Sequence, residues 1–425
     1  MKNKQAIYLL FLSNIISGFA QGISMIAIPW YFVEIVNRPS VFSVSYIIIT
    51  FLILFWGLYA GTLIDRYSRK RIFIITNLIC GTIIGFIALS GFYTSEVKDF
   101  LVVFVFGLTI FNYNVHYPNL YAFGQEITEK KYYGKLNSYI EIQGQTTSVL
   151  AGAFAALLLT GTKNQMINLI GFNITLPFDI EAWDIHEIFL MDAITYFIGI
   201  LIIIFIKYNP VKKKYIQTGT VWRRFKGGIE YLSNNKLIFI FGLASYMLFA
   251  FLLVELHVLL PSYVRNFLEE GGEIYAAAEV YYSFGAIIAG VFIIRLFRKY
   301  NTVLGVISLM IFSACAFLAM AFYKSVVIFF IANLILGVTN AGVRVLRTTY
   351  IFNHVPNHVI GRTNSVFNSL NIIVRMFLIG LFTFPFFTIG DNIKLGYLVG
   401  VGLIIIALFP IIINYKKTVY LDKIT

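Results

Sequence analysis

Charged side chains stand at a few isolated positions inside long apolar stretches of this 425-residue chain. Arg375 lies in NSLNIIVRMFLIGLF, Glu255 in AFLLVELHVLL and Glu141 in NSYIEIQGQ. A carboxyl group in apolar surroundings can load and release a proton near neutral pH, and a buried guanidinium can hold an anion. We therefore rank Glu255 first and Glu141 second as proton carriers, ahead of two further acids in apolar stretches, Asp192 and Glu279.

Arg375 is the most unusual of these residues. At about 1.5 Å per helical residue it lies about 16 Å into its apolar stretch, where its charge does not easily reach water. It is either ion-paired for a structural purpose, or it meets an anionic substrate or a titrating acid.

Uncharged polar side chains recur at helical spacing in three of the apolar stretches. Such a group is costly in hydrocarbon, so it must face a neighbouring helix or a water-filled cavity. The candidates for substrate binding, together with Arg375, are Asn14, Gln21, Gln145, Asn368 and Asn371. The alternative for each of them is a hydrogen bond from helix to helix.

The composition predicts an all-α polytopic membrane protein, since 59% of the residues are hydrophobic and 12% charged, and the mean hydropathy is +0.81. A membrane-spanning helix needs about 20 apolar residues. Twelve such stretches occur, at roughly 7–33, 43–64, 72–93, 100–122, 138–160, 187–206, 236–262, 275–296, 301–323, 325–346, 364–388 and 394–414. Metal-ligand spacings are absent, and we expect no cofactor.

The basic residues predict the orientation. Of the 33 Lys and Arg residues, 25 fall on the side that carries both termini and six on the other. We therefore expect a multi-pass protein of the cytoplasmic (inner) membrane with both termini cytoplasmic. The net charge of +13 is explained by the membrane surface, and no nucleic-acid partner is expected.

A repeated motif indicates duplication. GKLNS (134–138) and GRTNS (361–365) lie 227 positions apart, each at the start of an apolar stretch. The predicted organisation is a six-helix bundle at 1–206, a basic cytoplasmic linker at 207–235 and a second six-helix bundle at 236–425. Within the linker, TVWRRFKGGIEYL predicts a short amphipathic helix with its apolar side chains towards lipid. Two such halves are typical of transporters built from repeats.

GTLIDRYSRK (61–70) resembles the signature G-x-x-x-D-R-x-G-R-K that the major facilitator superfamily carries between its second and third helices. The resemblance extends over the twelve spans, the duplication and the linker, and Ser68 replaces the usual glycine. DRYSRK together with FKGGIEYL resembles the macrolide-efflux and siderophore-exporter branch.

The resemblance implies that the first, fifth, seventh and eleventh helices line a central cavity. It also implies that Asp65 meets the cytoplasmic start of the eleventh helix when the inner side is closed. A carboxylate at a helix N-terminus is stabilised by the helix dipole, so this contact would act as a latch. The expected gating residues are Gly61, Asp65, Arg66, Arg69, Gly361 and Arg362.

These observations favour a secondary active transporter, not an enzyme, that exports a hydrophobic or amphipathic small molecule, drug-like or siderophore-like, by proton antiport with alternating access. The expected partners are this substrate, protons and membrane lipid, and we expect a monomer. No nucleotide-binding G-x-x-x-x-G-K-[ST] loop is present, which argues against direct ATP drive. AGAFAALLL (151–159) lacks the Gly-Pro pair of many superfamily drug antiporters. The alternatives are a proton-coupled importer of an organic anion, and a non-transporting receptor or lipid enzyme on a transporter fold.

Overall fold

The computed structural model describes residues 3–129, 132–162, 166–169, 172–175, 177–208, 221–297, 301–388 and 390–424. Within these ranges, the side chains that lie outside the description are those of Leu58, Gly61, Thr62, Asp65, Gly134, Lys135, 167–169, 172–174, Val221, Arg223, Arg224, Ile294, Arg295, Asn357, His358, Thr388 and 422–424.

The first part of the chain forms six long helices. They are α1 (Lys4–Trp30), α2 (Pro39–Arg66), α3 (Arg69–Thr94), α4 (Asp99–Ile127), α5 (Tyr133–Thr160) and α6 (Ile185–Ile204). A π-helical turn, Tyr31–Ile35, continues α1. Side chains fix three of the starts: Asn3 caps α1, Ser68 caps α3, and Asp184 with Glu187 forms a capping box at α6.

The second part repeats this pattern after a short linker helix. The linker helix is α7 (Val221–Asn234), and the seventh span consists of α8 (Lys236–Val254), a π turn (Glu255–Leu259), α9 (Leu260–Ser262) and a second π turn (Tyr263–Leu268). It is followed by α10 (Gly272–Phe297), α11 (Thr302–Phe322), α12 (Val326–His354), α13 (Asn357–Phe382), 3₁₀ turns at Pro385–Thr388 and Gly390–Lys394, α14 (Leu395–Ile413) and α15 (Tyr415–Ile424).

Twelve of the described helices are long and apolar enough to cross a membrane. The predicted all-α fold with twelve spans is confirmed. The connection between α5 and α6 adds a small antiparallel hairpin, β1 (Met166–Leu169) with β2 (Phe172–Thr175), in which Met166 pairs with Thr175. This hairpin was not predicted, because each strand has only four residues.

Two helices are placed differently from the prediction. The eleventh span begins at Asn357, not at 364, so Arg375 lies in the half of α13 nearer its C-terminal end. The tenth span continues to His354, so Arg347 lies inside α12 and not in a loop. Arg347 is buried there because its guanidinium carbon sits 3.6 Å from the centre of the Tyr246 ring and it donates a 3.0 Å hydrogen bond to the Ser245 carbonyl oxygen.

The chain forms two compact units. One comprises Met1–Arg38, Phe51–Gln217 and Gly271–Val280, and the other comprises Pro39–Thr50, Thr218–Glu270 and Tyr281–Thr425. The start of α10 belongs to the first unit, where Tyr275 stacks on Trp30 with ring centres 5.4 Å apart. The predicted boundaries at 206 and 236 stay a prediction.

The linker helix α7 packs on the second unit. Leu232 is buried, and Phe225 packs against the same apolar cluster, which includes Val359 of α13. The helices α7 and α13 approach closely at Gly228, where a Cβ atom would lie only 2.5 Å from the Arg362 carbonyl oxygen. Trp222 remains exposed. The expectation that all apolar side chains of this helix face lipid is therefore wrong, since part of its apolar face packs on protein.

The α10–α12 crossing in the second unit depends on two glycines. A Cβ atom on Gly285 would collide with the Leu334 carbonyl oxygen, and one on Gly337 would collide with the Tyr282 carbonyl oxygen. Backbone therefore meets backbone here, as in other membrane helix pairs with small interface residues.

We expect Gly285→Ala to destabilise the protein by about 1–3 kcal/mol, because the methyl group forces the two helices apart. Gly290→Ala is the matched control, since no atom lies within 4 Å of a Cβ atom there. Thermal unfolding of the purified protein measures both changes. Equal melting temperatures for the two variants would show that the crossing is looser than described.

Candidate functional site

Arg375 is almost completely buried in α13, with 9% of its surface exposed. Its guanidinium lies within hydrogen-bonding reach of the Tyr46 hydroxyl. The centre of the Tyr46 ring is 5.4 Å from that of the His257 ring. Arg375 thus has one aromatic hydroxyl beside it and an imidazole nearby.

No carboxylate in the described part of the chain lies within ion-pair distance of Arg375. Its Nε atom is buried and has no hydrogen-bond partner among the described residues. A buried charge is costly unless it is paired, and guanidinium matches the planar, bidentate geometry of carboxylate and phosphate. The site can therefore hold an anionic group. The interpretation of Arg375 as half of a structural ion pair has no support in the described contacts.

The seventh span is widened beside this arginine by the π turn Glu255–Leu259. The His257 Nδ1 atom lies 2.9 Å from the Leu253 carbonyl oxygen, and because a carbonyl oxygen only accepts, this nitrogen carries the hydrogen. Pro261 follows one turn later and has no N–H to donate. π turns within α-helices are frequent at functional sites, which agrees with the position of this one.

Glu255 begins the same π turn but makes different contacts. It is 3% exposed, and its Oε1 atom accepts a 3.0 Å hydrogen bond from the Tyr397 hydroxyl of α14. The rings of Tyr397 and Tyr263 lie edge to face, 4.8 Å apart. The carboxyl group is therefore buried against a tyrosine. It forms no ion pair with Arg375 among the described contacts.

In the first unit, Asn14 of α1 lies at the centre of a chain of hydrogen bonds. Its Nδ2 atom donates to Gln143 at 2.7 Å, and its Oδ1 atom lies 2.6 Å from His116 Nε2. Since an amide oxygen only accepts, His116 donates through Nε2. Asn14 thus connects α1 with α4 and α5.

Gln21 and Ser24 continue the polar face of α1. Gln21 donates a 2.8 Å hydrogen bond to the Tyr196 hydroxyl, which also lies 3.4 Å from Asn112 Nδ2. One turn of α6 before Tyr196, Asp192 is fully buried and accepts a 3.1 Å hydrogen bond from Ser24. Its second carboxyl oxygen has no partner among the described residues.

Its burial and its unpartnered carboxyl oxygen make Asp192 a further candidate for proton coupling. Its signal was present, since an acid in an apolar stretch is costly unless it has partners. Tyr46 was not singled out at all, because an isolated tyrosine in an apolar stretch looks like ordinary membrane composition.

The other predicted binding and coupling residues are spread over the two units. Asn371 is 1% exposed and donates to the Tyr246 carbonyl oxygen at 3.2 Å. Asn368 is exposed and Gln145 partly exposed. Glu141 is exposed and accepts a 2.7 Å hydrogen bond from the Tyr121 hydroxyl. Their functional roles stay predictions.

Among the expected gating residues, the side chains of Gly61 and Asp65 lie outside the described part of the chain. Arg69 forms a largely buried ion pair with Glu126 of α4, at 3.2 Å. This pair gives Arg69 a packing role within the first unit, beyond its contribution to orientation.

Arg66 lies with its guanidinium carbon 5.8 Å from the centre of the Tyr67 ring. Gly361 is exposed, and Arg362 adjoins Gly228 of α7. In the described residues, no three His, Cys, Asp or Glu side chains are grouped so that they could hold a metal ion.

We expect Asn14→Leu to destabilise the protein by about 1–3 kcal/mol, because His116 and Gln143 lose a partner while remaining inside the bundle. Gln145→Leu is the control on α5, where the side chain is partly exposed. Thermal unfolding in detergent measures both effects. If Asn14→Leu unfolds like the wild type and only transport suffers, Asn14 contacts substrate and not the helix network.

The model of the Major Facilitator Superfamily matches residues 10–379. No curated protein matches the chain.

Solved transporter structures share the fold at low sequence identity. The nucleoside transporter NupG superposes with a TM-score of 0.69 at 14% identity, covering 97% of this chain and 99% of that one. A bacterial homologue of the iron transporter ferroportin gives 0.66 at 15% identity, with 95% and 98% covered. A D-xylose-proton symporter gives 0.67 at 12% identity, with 96% and 97% covered.

The names of these three transporters refer to different substrates, so they indicate no single substrate class. The family match extends from α1 into α13. The chain is a multi-pass membrane protein that belongs to the Major Facilitator Superfamily.

Proposed function

We propose that this chain is a secondary active transporter that exports an amphipathic small molecule, drug-like or siderophore-like, across the cytoplasmic membrane in exchange for protons. Membership of the superfamily supports transport of a small molecule. The observation that carries the substrate chemistry is Arg375, a buried guanidinium whose Nε has no partner among the described residues. The proposed substrate therefore presents a carboxylate or a similar anionic group.

The surroundings of Arg375 suit such a group. In a poorly solvated site, a hydrogen bond between two charged groups is stronger than one between neutral groups. Tyr46 adds a hydroxyl beside the guanidinium, and the aromatic rings nearby suit the apolar part of an amphipathic molecule. Asn14, Gln21, Gln145, Asn368 and Asn371 are the further proposed substrate contacts.

Proton coupling requires an acid whose protonation changes during the transport cycle. Glu255 is the proposed carrier, because it is buried and hydrogen-bonded to Tyr397. Asp192, also buried, and Glu141 are the other candidates. We further propose a gating role for Gly61, Asp65, Arg66, Arg69, Gly361 and Arg362, with Asp65 as a latch present in one access state only.

We also propose that the chain forms two six-helix bundles (1–206 and 236–425) joined by the linker 207–235. Both termini are cytoplasmic in this proposal, and the transporter is a monomer. The signature residues DRYSRK (65–70) support a place near the macrolide-efflux and siderophore-exporter branch.

The alternative is a proton-coupled importer of an organic anion. The same residue favours it, since Arg375 would recognise the anion whichever way transport runs. The direction of proton movement distinguishes export by antiport from import by symport.

We expect proteoliposomes with a trapped pH-sensitive dye to report proton movement opposite to an added amphipathic anion. The compounds to test are organic acids, siderophores and acidic drugs, each with a neutral amide analogue. Arg375→Ala should lower flux of the active anion at least about tenfold, because a hydrogen bond to a charged group contributes about 1.5–3 kcal/mol. Arg344→Ala, which removes an exposed arginine of α12, should transport like the wild type.

Proton movement in the same direction as the anion would replace export by import. Unchanged flux of the anion in Arg375→Ala would remove Arg375 from the binding site. No flux with any compound in either direction would contradict the transport proposal as a whole.

We expect Glu255→Gln to keep substrate exchange but to abolish its coupling to protons. Glutamine keeps the acceptor oxygen for Tyr397 but cannot lose a proton, so substrate exchange without a gradient should persist while proton-driven accumulation is lost. Glu230→Gln is the control, since it removes an exposed acid from α7. Radiolabelled substrate uptake measures both modes, and retained accumulation in Glu255→Gln would assign the proton to another acid.

A further inference from the structure

A cavity of about 690 Å³ lies in the first unit, between the start of α3 and the end of α6. Its volume falls in the range of about 300–1,000 Å³ that is typical of small-molecule sites. Among the described residues, the lining includes three cationic side chains, Lys70, Arg71 and Lys207, and no acidic one. The cavity is therefore positively charged and lies at one end of two membrane-spanning helices.

The three cations have different roles. Lys70 donates hydrogen bonds to the carbonyl oxygens of Ile204 at 2.7 Å and Ile206 at 2.9 Å. Its charge thus caps the C-terminal end of α6. Arg71 and Lys207 are exposed, and neither is paired with a carboxylate of the described chain. These two cations are available to a ligand.

The remaining walls are apolar or weakly polar. Ile75, about two turns into α3, and Ile204, the last residue of α6, are about half exposed, at 47% and 50%. The Tyr208 hydroxyl is buried at the wall, beside Ser68 and the Lys70 backbone. An occupant therefore meets a positive rim and an apolar surface formed by the isoleucines.

We propose that this cavity binds a phospholipid with an anionic headgroup. The phosphate lies between Arg71 and Lys207, and the acyl chains run along Ile75 and Ile204. Cations at the membrane surface attract anionic lipid, and the half-exposed isoleucines beside them suit acyl chains. A free phosphate would use the cations but leave the apolar wall unexplained, which is why the occupant is a lipid. The site is separate from Arg375, so it does not depend on the proposed substrate.

The test uses the full-length protein in nanodiscs made from equal parts of phosphatidylglycerol and phosphatidylcholine, followed by native mass spectrometry of the retained lipids. We expect the wild type to retain phosphatidylglycerol in preference, and R71Q/K207Q to lose that preference at least about threefold. K416Q/K417Q is the matched control, because it removes two exposed charges from α15 and should behave like the wild type.

Two further measurements make the result specific. R71K/K207R keeps both charges and should restore the preference, with thermal unfolding confirming that every variant is folded. Inorganic phosphate at millimolar concentration should not displace the retained lipid. Equal lipid retention in R71Q/K207Q and in the wild type would overturn the proposal. Displacement by phosphate would also overturn it, since the cavity would then hold a free anion.

Discussion

Polar groups buried among hydrocarbon have few partners, and this constraint explains much of the arrangement seen here. Water cannot satisfy their hydrogen bonds inside a membrane, so each group must bond to the protein or to a bound ligand. Asn14, Gln21 and Ser24 meet the constraint by joining α1 to its neighbours. Arg347 meets it with a tyrosine ring and a carbonyl oxygen. Arg375 has only part of its hydrogen-bonding capacity used within the described chain.

The two buried arginines differ in their contacts. Arg347 and Arg375 lie in consecutive long helices, and both are almost inaccessible. The contacts of Arg347 make a stable packing element, whereas the Nε atom of Arg375 has no partner in the described part of the chain. The sequence alone indicates that Arg375 is buried but does not indicate this for Arg347, because Arg347 falls just beyond the apolar run and looks like a loop residue.

The twelve spans were predictable because each is an apolar run of about the length that a helix needs to cross the bilayer. The roles of polar residues were not. The sequence pattern is the same whether an asparagine such as Asn14 faces a cavity or another helix. Only its distances to His116 and Gln143 show that Asn14 bonds to neighbouring helices. Tyr46 carried no signal because its importance comes from the arginine beside it. The packing of α7 on α13 depends on a close approach at Gly228, which periodicity does not reveal.

The π turns have a consequence for how this chain can tolerate changes of length. Tyr31–Ile35 and Tyr263–Leu268 each begin two residues after a proline, and they end the first and the seventh span. A π turn contains more residues than an α turn, so it behaves like an insertion already absorbed by the helix. Removing one residue from a π turn lets it tighten to α geometry while the flanking faces keep their neighbours. Removing one residue from α8 instead rotates the side chains that follow it by about 100° about the helix axis, away from their neighbours. Single-residue deletions should therefore be tolerated at the π turns and harmful within α8.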